Sequence, residues 1–238
     1  MLRLDKFLSD TGHGTRNEIR SFIRRGAVMV DGHIETNPGY RLDENRQAVC
    51  VEGVPVCYRP FLYYMMYKPD GLLSSTKDPR QKTVLDLMPE QLRTRGLFPV
   101  GRLDKDAQGL LLLTNDGALA HRLAAPKHHV EKRYGAVVDR TPDAAQRALF
   151  EQGLIVLDGK PVKPAKLSVV SDKEPLVVEV CLVEGRYHQV KRMLSACGCQ
   201  VLQLKRLAIG PLVLDEALLP GGFRPLSDDE VQALQKLL

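Results

Sequence analysis

Tryptophan is absent from the sequence, and aromatic residues occupy only 5% of its 238 positions. Proteins that stack many bases of a single-stranded nucleic acid need several exposed aromatic side chains. The composition therefore argues against an extended base-stacking platform. Long apolar runs are missing as well, because no stretch approaches the roughly 18 consecutive apolar residues that a membrane-spanning helix requires. We therefore expect no membrane partner.

Cysteines are few and scattered along the chain. The five thiols belong to Cys50, Cys57, Cys181, Cys197 and Cys199. The last two are one residue closer together than the usual zinc-knuckle spacing, so they do not predict a metal site. The first residues of the chain are too charged for a signal peptide. We therefore expect a soluble, cytoplasmic protein whose thiols are reduced and buried and which contains no disulfide.

The sequence does contain an apolar fraction of 44% and a net charge of +5. Its length is sufficient for two domains, each with its own core. The excess of Lys and Arg favours a polyanionic partner, although many proteins with other functions carry a similar charge. The two predicted units are residues 1–58 and 59–238, with a linker at about residues 55–60.

The first unit is predicted to contain two helices followed by a short hairpin at residues 28–34. Residues 4–8 have helical spacing, and Thr15 is expected to cap a second helix together with Glu18. The second helix carries arginines four residues apart on one stripe, with one further arginine beside them. These are the predicted phosphate contacts of this unit: Arg16, Arg20, Arg24 and Arg25. A solvated helix face is the alternative.

The second unit mixes many strands with few helices. Its predicted strands include residues 134–138, 165–170 and 176–182. The most informative stretch is PVGRLDKDAQGLLLLTNDG, which places Asp104 and Asp106 just before an apolar strand at residues 110–114. If this segment is extended, both carboxylates point to one face about 7 Å apart, a separation that suggests a glycoside hydrolase. A structural role in a turn is the alternative for each aspartate.

Two further basic segments are candidates for binding. EGRYHQVKRM, residues 184–193, places cations at the start of a predicted helix, where main-chain amides favour anions. Helix capping and solvated cations are the alternative. KHHVEKRY, residues 127–134, has adjacent histidines, but neighbouring side chains point in different directions, so the two rings do not share a metal ion. A basic loop that contacts phosphate fits this second segment better.

Three long motifs resemble the signature of the RsuA-type ribosomal RNA pseudouridine synthases. They are GRLD (residues 101–104), GLLLLTNDG (residues 109–117) and EGRYHQVKRM (residues 184–193). Residues 1–58 resemble an S4 RNA-binding domain through RLDKF, the arginine stripe and VMVDG. The order of the motifs and the whole chain length match. The resemblance implies an α+β fold, with a small S4 domain followed by a larger mixed catalytic domain built mainly on antiparallel sheet.

The resemblance also implies a reaction, the isomerisation of uridine to pseudouridine in ribosomal RNA without cofactor or metal. The N1–C1′ bond breaks, the base turns over, and a C5–C1′ bond forms. Asp104 falls on the family's essential aspartate, Tyr134 on its active-site tyrosine, and Lys191 on the basic residue that pairs with the aspartate. The aspartate must be ionised whether it attacks the sugar or removes a C2′ proton. A nearby cation favours that form, and this role is assigned to Lys191.

The expected RNA contacts of the second domain are Arg102, Lys127, His128, Arg186, His188, Gln189 and Arg192. The loop at residues 126–132 resembles that of the small-subunit enzymes, which favours 16S rRNA, naked or in an assembling subunit, as the substrate of a monomeric enzyme. The alternatives are a 23S rRNA enzyme of the same family and a non-catalytic S4-type rRNA-binding protein. Ala107 supports the second alternative, because the family commonly has Ser or Thr there.

Replacing Arg20 and Arg24 by glutamine should weaken RNA binding and flatten its salt dependence. Each lost phosphate contact removes about 0.9 from the slope of log K against log salt concentration on a duplex. Binding of the variant and the wild type is measured over a range of salt concentrations, with Arg41 and Arg46 replaced together as the control for lost charge. A slope equal to that of the wild type would show that the stripe faces only solvent.

Overall fold

The computed structural model describes residues 1–125 and 128–237. Contacts between residues divide the chain into two compact units. The first consists of residues 1–62 together with 89–96, and the second consists of residues 63–88 and the chain from residue 97 onward. The short segment 89–96 thus belongs with the first unit by its contacts, and the predicted domain boundary between residues 58 and 59 stays a prediction.

Within the described residues, the first unit contains three helices and two small sheets. The helices are α1 (Leu4–Asp10), α2 (Arg16–Arg24) and α3 (Glu90–Arg93). The strands are β1 (Leu2–Arg3), β2 (Val28–Val30), β3 (His33–Ile34), β4 (Arg41–Leu42), β5 (Val49–Val51) and β6 (Val54–Val56). Strand β1 pairs with β4, and the other four strands form an antiparallel sheet in the order β3-β2-β5-β6.

Helix α2 begins as its sequence predicts. The Thr15 hydroxyl accepts a hydrogen bond from the Glu18 amide, and the Glu18 carboxylate accepts one from the Thr15 amide at 2.7 Å. This capping box satisfies two amides that have no partner within the helix. Ile19 and Ile23 are fully buried in the core of the unit, which leaves the arginine stripe on the exposed face of α2.

The second unit is built on one large sheet with helices packed against it. Its strands are β7 (Tyr63–Lys68), β8 (Phe98–Val100), β9 (Gln108–Thr114), β10 (Lys132–Val138), β11 (Val156–Leu157), β12 (Lys160–Pro161), β13 (Lys166–Ser171), β14 (Val177–Leu182), β15 (Val201–Ile209), β16 (Leu212–Val213) and β17 (Phe223–Pro225). Its helices are α4 (Gly117–Ala124), α5 (Ala144–Glu151), α6 (Gln189–Ala196) and α7 (Asp228–Lys236), with a 3₁₀ turn at Val84–Leu87.

Nine strands of the described chain form the large sheet. Their order is β13-β14-β10-β15-β9-β7-β17, with β16 against β15 and β8 against β9. The neighbouring strands are antiparallel except for β9 and β15, which are parallel. Strands β11 and β12 form a separate hairpin. The predicted α+β class, with a mainly antiparallel sheet in the larger domain, is confirmed.

Gly109 makes the parallel junction between β9 and β15 possible. It lies opposite Arg206 in the register of the two strands. Its φ is +105°, and a Cβ atom at this position would overlap the main chain of Arg206. Only glycine combines this backbone conformation with so close an approach. The glycine of the sequence motif therefore fixes how β15 meets the start of β9.

The apolar run of the second motif lies in the middle of the sheet. Residues 110–113, all leucine, are fully buried. They lie on β9, between β7 and β15. Leu110 and Leu112 belong to an apolar cluster that also contains Met65 and Ile209. A strand buried on both faces reads as a continuous apolar run. The loop that precedes β9 therefore starts from a rigid base.

Helix α5 is capped by Asp143, whose carboxylate accepts from the amide of Gln146. The exposure of the cysteines differs from the sequence prediction. All five cysteines are free, but Cys57 is exposed, so the thiols are not all buried. Among the described residues, the helices lack the length and apolar character needed to cross a membrane.

Replacing Gly109 by alanine should lower the free energy of unfolding by about 3 kcal/mol or more, because backbone strain and steric overlap act together. Urea denaturation measures the difference. Gly117→Ala is the matched control, since the space around Gly117 is open and its φ is not positive. We expect the control to change stability by less than about 1 kcal/mol. Equal stability of Gly109→Ala and wild type would contradict this account of the junction.

Candidate active site

The loop between β8 and β9, residues 101–107, holds Asp104 beside a cavity. The Ala107 amide donates to the carbonyl of Asp104 at 3.1 Å, which closes a turn at residues 105–106. The segment is therefore not extended, and the geometry that suggested a glycoside hydrolase is not formed. The Asp104 side chain is 26% exposed, so its carboxylate is accessible from the cavity side.

Lys68, the last residue of β7, holds this loop from the interior. Its side chain is fully buried. The ammonium donates to the main-chain carbonyls of Pro69 at 3.0 Å, Lys105 at 3.1 Å and Ala107 at 2.8 Å. A charged lysine has three N–H donors, whereas the neutral amine has two. Only the charged form can therefore satisfy all three carbonyls, two of which belong to the loop.

The charge of Lys68 is balanced by nearby carboxylates. Burial is the largest effect and lowers the pKa of Lys68 to about 8. The carboxylates of Asp70, Asp106 and Asp104 oppose this shift by attracting the ammonium. The same attraction acts in return on the carboxylates. A buried cation thus lies behind the loop that carries Asp104.

Two more side chains fix the main chain on either side of the aspartate. The Ser74 hydroxyl donates to the carbonyl of Leu103 at 2.8 Å and accepts from the amide of Leu103 at 3.1 Å. Arg206, on β15, donates from Nε to the carbonyl of Leu110 at 2.8 Å and from Nη1 to the carbonyl of Arg102 at 3.4 Å. Support of this kind fixes the direction of a functional side chain.

The cavity beside this loop has a volume of about 430 Å³, within the range of small-molecule sites. Tyr134, on β10, lines it and is 8% exposed. Arg206 is its neighbour across the strand pair, and Lys132 precedes it by two residues on the same face. Burial and the nearby Arg206 lower the pKa of Lys132. The cavity therefore combines an aromatic wall with cations.

The structure gives Lys191 a partner other than the predicted one. Its Nζ lies 2.6 Å from Oδ1 of Asp106, whereas the group facing Asp104 is His188, whose Nε2 lies 3.5 Å from Oδ1. The physical reason is the turn at residues 105–106, which carries Asp106 to the surface, where its side chain is 66% exposed. Lys191 therefore pairs with Asp106, and the prediction that it pairs with Asp104 is wrong.

Asp106 remains a carboxylate that is easily ionised. The hydrogen bond from Lys191 is the largest effect and holds the pKa of Asp106 below its ordinary value. The general acid of a glycoside hydrolase requires the opposite shift. The interpretation of Asp106 as a structural residue thus fits the observed contacts better than a role in hydrolysis.

The arginine stripe of the first unit is exposed along its length. Arg20 lies 3.5 Å from Asp5, and Arg25 lies 3.4 Å from Glu52. Asp5 is buried, but the Arg20 side chain stays 45% exposed. The Arg25–Glu52 pair is exposed at both ends, and exposed ion pairs are weak. The predicted phosphate contacts therefore remain accessible, and they stay a prediction.

Two of the predicted RNA contacts in the second unit have partners inside the protein. Gln189 is 4% exposed and donates to the Glu184 carboxylate at 2.6 Å. The Arg186 guanidinium pairs with Glu184 at 3.3 Å. It also donates to the carbonyls of Leu157, Lys160 and Pro161. Arg186 thus braces the β11–β12 hairpin, and Gln189, which accepts from the amide of Arg186 at 2.8 Å, braces the start of α6. Their role as RNA contacts stays a prediction.

The other predicted RNA contacts are placed as follows. Arg102 is exposed and lines the cavity. Arg192 makes two hydrogen bonds to the Asp158 carboxylate, at 3.0 and 2.7 Å. His128 is half-buried, and Lys127 lies outside the described residues. In the ranges 1–125 and 128–237, no group of three His, Cys, Asp or Glu side chains could hold a metal ion.

Lys68 and Arg206 are the residues that sequence reasoning missed. Lys68 is the one charged residue in YYMMYKP, and Arg206 follows Lys205 in the largely apolar strand segment LKRLAI. Charged side chains in such positions are almost never fully buried unless they are paired. This pattern is therefore a usable signal for a supporting cation, although it does not reveal which loop the cation supports.

The fold and the site define an enzyme that acts on a nucleic acid: a braced carboxylate beside a cationic cavity, in a chain whose N-terminal unit exposes a stripe of arginines. Residues 62–196 match the family model described as RNA pseudouridylate synthase, and residues 2–47 match the S4 domain. A protein of Bacillus subtilis (strain 168) named as the uncharacterized RNA pseudouridine synthase YtzG is 45% identical, over 99% of both chains. Ribosomal small subunit pseudouridine synthase A of Pasteurella multocida is 37% identical, over 99% of this chain and 100% of the relative.

A solved structure agrees with these matches. The crystal structure of a pseudouridylate synthase superposes with a TM-score of 0.68 at 37% identity, and the match covers 98% of this chain and 100% of the other. The chain belongs to the RNA pseudouridine synthase family and carries an N-terminal S4 domain. The resemblance predicted from the motifs is confirmed.

Replacing Lys68 by methionine should change how stability depends on pH. The pKa of Lys68 falls from 10.5 to about 8 on folding, so the unfolded chain binds more protons between these values. Its contribution to the free energy of unfolding therefore rises with pH between about 8 and 10.5. Urea denaturation across this window should show the wild type gaining stability relative to Lys68→Met.

Exposed Lys77, replaced in the same way, is the matched control. The difference in the free energy of unfolding between the wild type and Lys77→Met should stay nearly constant over the same window. If the difference between the wild type and Lys68→Met does not change with pH, the buried ammonium is not the group described here.

Proposed function

We propose that this enzyme isomerises one uridine of small-subunit 16S rRNA to pseudouridine. The observation that carries the proposal is the Asp104 carboxylate, held on a loop that Lys68, Ser74 and Arg206 brace, beside a cavity of about 430 Å³. Such a cavity suits one nucleoside. The target must leave its stack, because the sugar carbon cannot be reached inside a helix.

The reaction rearranges bonds within one nucleotide. Asp104 either attacks C1′ and forms an ester, or removes the proton from C2′, and in both routes the N1–C1′ bond breaks while the base stays in the cavity. The base turns over and C5 bonds to C1′, which breaks the ester in the first route, while in the second route Asp104 returns its proton to C2′. C5 then loses its proton and N1 gains one. No atom is added or lost overall. Both routes use an ionised carboxylate, and the Lys68 ammonium behind the loop attracts that charge.

Tyr134 and Lys191 have separate roles in this proposal. Tyr134 presents its ring to the cavity, where it can pack against the target base, and its phenol can take part in proton transfer at C5. Lys191 acts through Asp106, whose ion pair with it holds the outer side of the loop. Lys191 is thus a positioning residue in the structure described.

Isomerisation is favoured over hydrolysis because hydrolysis needs a water molecule and a second acid or base. The cavity contains apolar groups close to the aspartate, including Leu103, Ala107 and Leu204. Apolar surroundings exclude water from a reactive intermediate. The other carboxylate that lines the cavity, Glu184, is engaged by Arg186 and Gln189, and Asp106 is engaged by Lys191.

A non-catalytic rRNA-binding protein is the second candidate, and Ala107 is the observation that favours it. Its methyl group is fully buried in an apolar cluster, so a hydroxyl is missing where the family commonly has one. The loop nevertheless keeps its support, because the carbonyl of Ala107 accepts from Lys68 at 2.8 Å. The missing hydroxyl is therefore expected to tune the loop rather than remove the activity.

The choice of RNA rests on the relatives and on the first unit. A full-length relative is named as a small-subunit enzyme, which supports 16S rRNA over the 23S rRNA of other family members. The exposed arginine stripe supplies affinity for phosphates that does not depend on sequence. We propose that the substrate is rRNA, naked or in an assembling subunit, and that the enzyme acts as a monomer in the cytoplasm.

Replacing Asp104 by asparagine should reduce pseudouridine formation by at least about 1,000-fold, since the reacting carboxylate is lost. RNA binding should stay within about twofold of the wild type, because the substitution keeps the shape of the side chain. Reverse-transcription stops on carbodiimide-treated 16S rRNA measure the product.

Asp106→Asn is the matched control, because it makes the same chemical change two positions away and should retain activity within about tenfold. An Asp104→Asn variant that still forms pseudouridine refutes the role of Asp104. Wild-type protein that binds rRNA tightly but forms no pseudouridine favours the non-catalytic alternative.

A further inference from the structure

An exposed aromatic side chain lies at the edge of the cavity. Tyr187 is 71% exposed and is among the residues that line the cavity. The sequence has few aromatic residues, and most aromatic rings in a folded domain are removed from water. A tyrosine ring that stays in water beside an active site therefore has a surface available for a ligand.

This ring is held in place by its neighbour. Tyr187 and His188 are stacked, with ring centroids 3.9 Å apart and an interplanar angle of 15°. His188 has φ of +47° and precedes α6. A residue other than glycine adopts this conformation only at a cost, and such residues cluster at functional sites. The strained backbone places two consecutive side chains on the same side, where they stack.

The stacked pair is connected to the catalytic loop. His188 Nε2 lies 3.5 Å from the Asp104 carboxylate. On the other side, the Arg192 guanidinium donates to the carbonyl of Tyr187 at 3.4 Å and to the Asp158 carboxylate at 2.7 Å. Both ends of the pair are therefore anchored, and a ligand on the outer face of the Tyr187 ring would lie next to the reacting centre.

The surroundings indicate the chemistry of that ligand. Arg102, exposed on the same cavity, supplies a charge for phosphate. A flat aromatic surface beside cations suits a nucleobase, because every base has a face that stacks, whatever its sequence. The target base itself would lie deeper, against Tyr134, which is almost fully buried.

We propose that the outer face of Tyr187 stacks on the base of a nucleotide that adjoins the target uridine in the RNA, so that the stacked pair holds the opened strand while the uridine occupies the cavity. This rests on the proposed function, since it takes RNA as the substrate. It assigns Tyr187 as a binding residue and His188 as the residue that links the stack to Asp104.

The test is a cycle between protein and RNA variants. A 16S rRNA fragment with the mapped target uridine is prepared intact and with an abasic residue at either neighbouring position. Affinities for the wild type, Tyr187→Phe and Tyr187→Leu are measured by fluorescence anisotropy. Loss of the ring should weaken binding of intact RNA about tenfold, which corresponds to about 1.4 kcal/mol, whereas Tyr187→Phe should bind within about twofold of the wild type.

The cycle separates stacking from a general loss of structure. One of the two abasic RNAs should bind the wild type about tenfold more weakly than intact RNA, and it should bind Tyr187→Leu no more weakly than intact RNA does. The control is Leu202→Ala on β15, a side chain that is 58% exposed and is not among the cavity residues. It should leave every affinity unchanged.

Two outcomes overturn the inference in different ways. In the first, the wild type forms pseudouridine, but Tyr187→Leu loses no affinity, or its loss of affinity and the loss caused by the abasic RNA simply multiply when the two changes are combined. The stacking contact then does not exist, although the proposed function stands. If the wild type forms no pseudouridine in any ribosomal RNA, the proposed function fails and the inference fails with it.

Discussion

The buried ammonium of Lys68 is the interaction on which the active site depends. It donates hydrogen bonds to three main-chain carbonyls, two of them in the loop that carries Asp104. Burial of this charge is costly, as the lowered pKa of Lys68 shows. A methionine or leucine would pack in the strand without that cost. The position holds a lysine because the loop needs donors and a positive charge from a side that solvent does not reach.

The arrangement of the sheet explains how distant segments meet at this loop. Strands β9 and β15 are parallel neighbours, and Gly109 allows their main chains to approach. The approach brings Arg206 against the carbonyls that flank the loop and places Tyr134 one strand further away. This junction joins the start of β9 to residues almost a hundred positions later, and antiparallel neighbours in the sheet, such as β7 and β17, are also distant in sequence. The site therefore forms only when the complete sheet has formed.

Sequence patterns predicted the local structure well and the long-range contacts poorly. The capping box of α2 and the buried leucines of β9 follow from spacing alone, and both are present. The motif that carries Asp104 identified the family. The partner of Lys191 was predicted wrongly, because a turn of one or two residues decides which of two nearby aspartates reaches α6. Lys68 was missed because its position in a strand does not reveal which carbonyls surround its ammonium.

The most direct test of the central claim is a pseudouridine map of the small-subunit rRNA in cells of the source organism. Three strains are compared: one that lacks this protein, one complemented with the wild type and one complemented with Asp104→Asn at the same protein level. The account predicts that one modified uridine disappears in the first strain, returns in the second and stays absent in the third. A map that does not change when the protein is removed, or that Asp104→Asn restores, would contradict it.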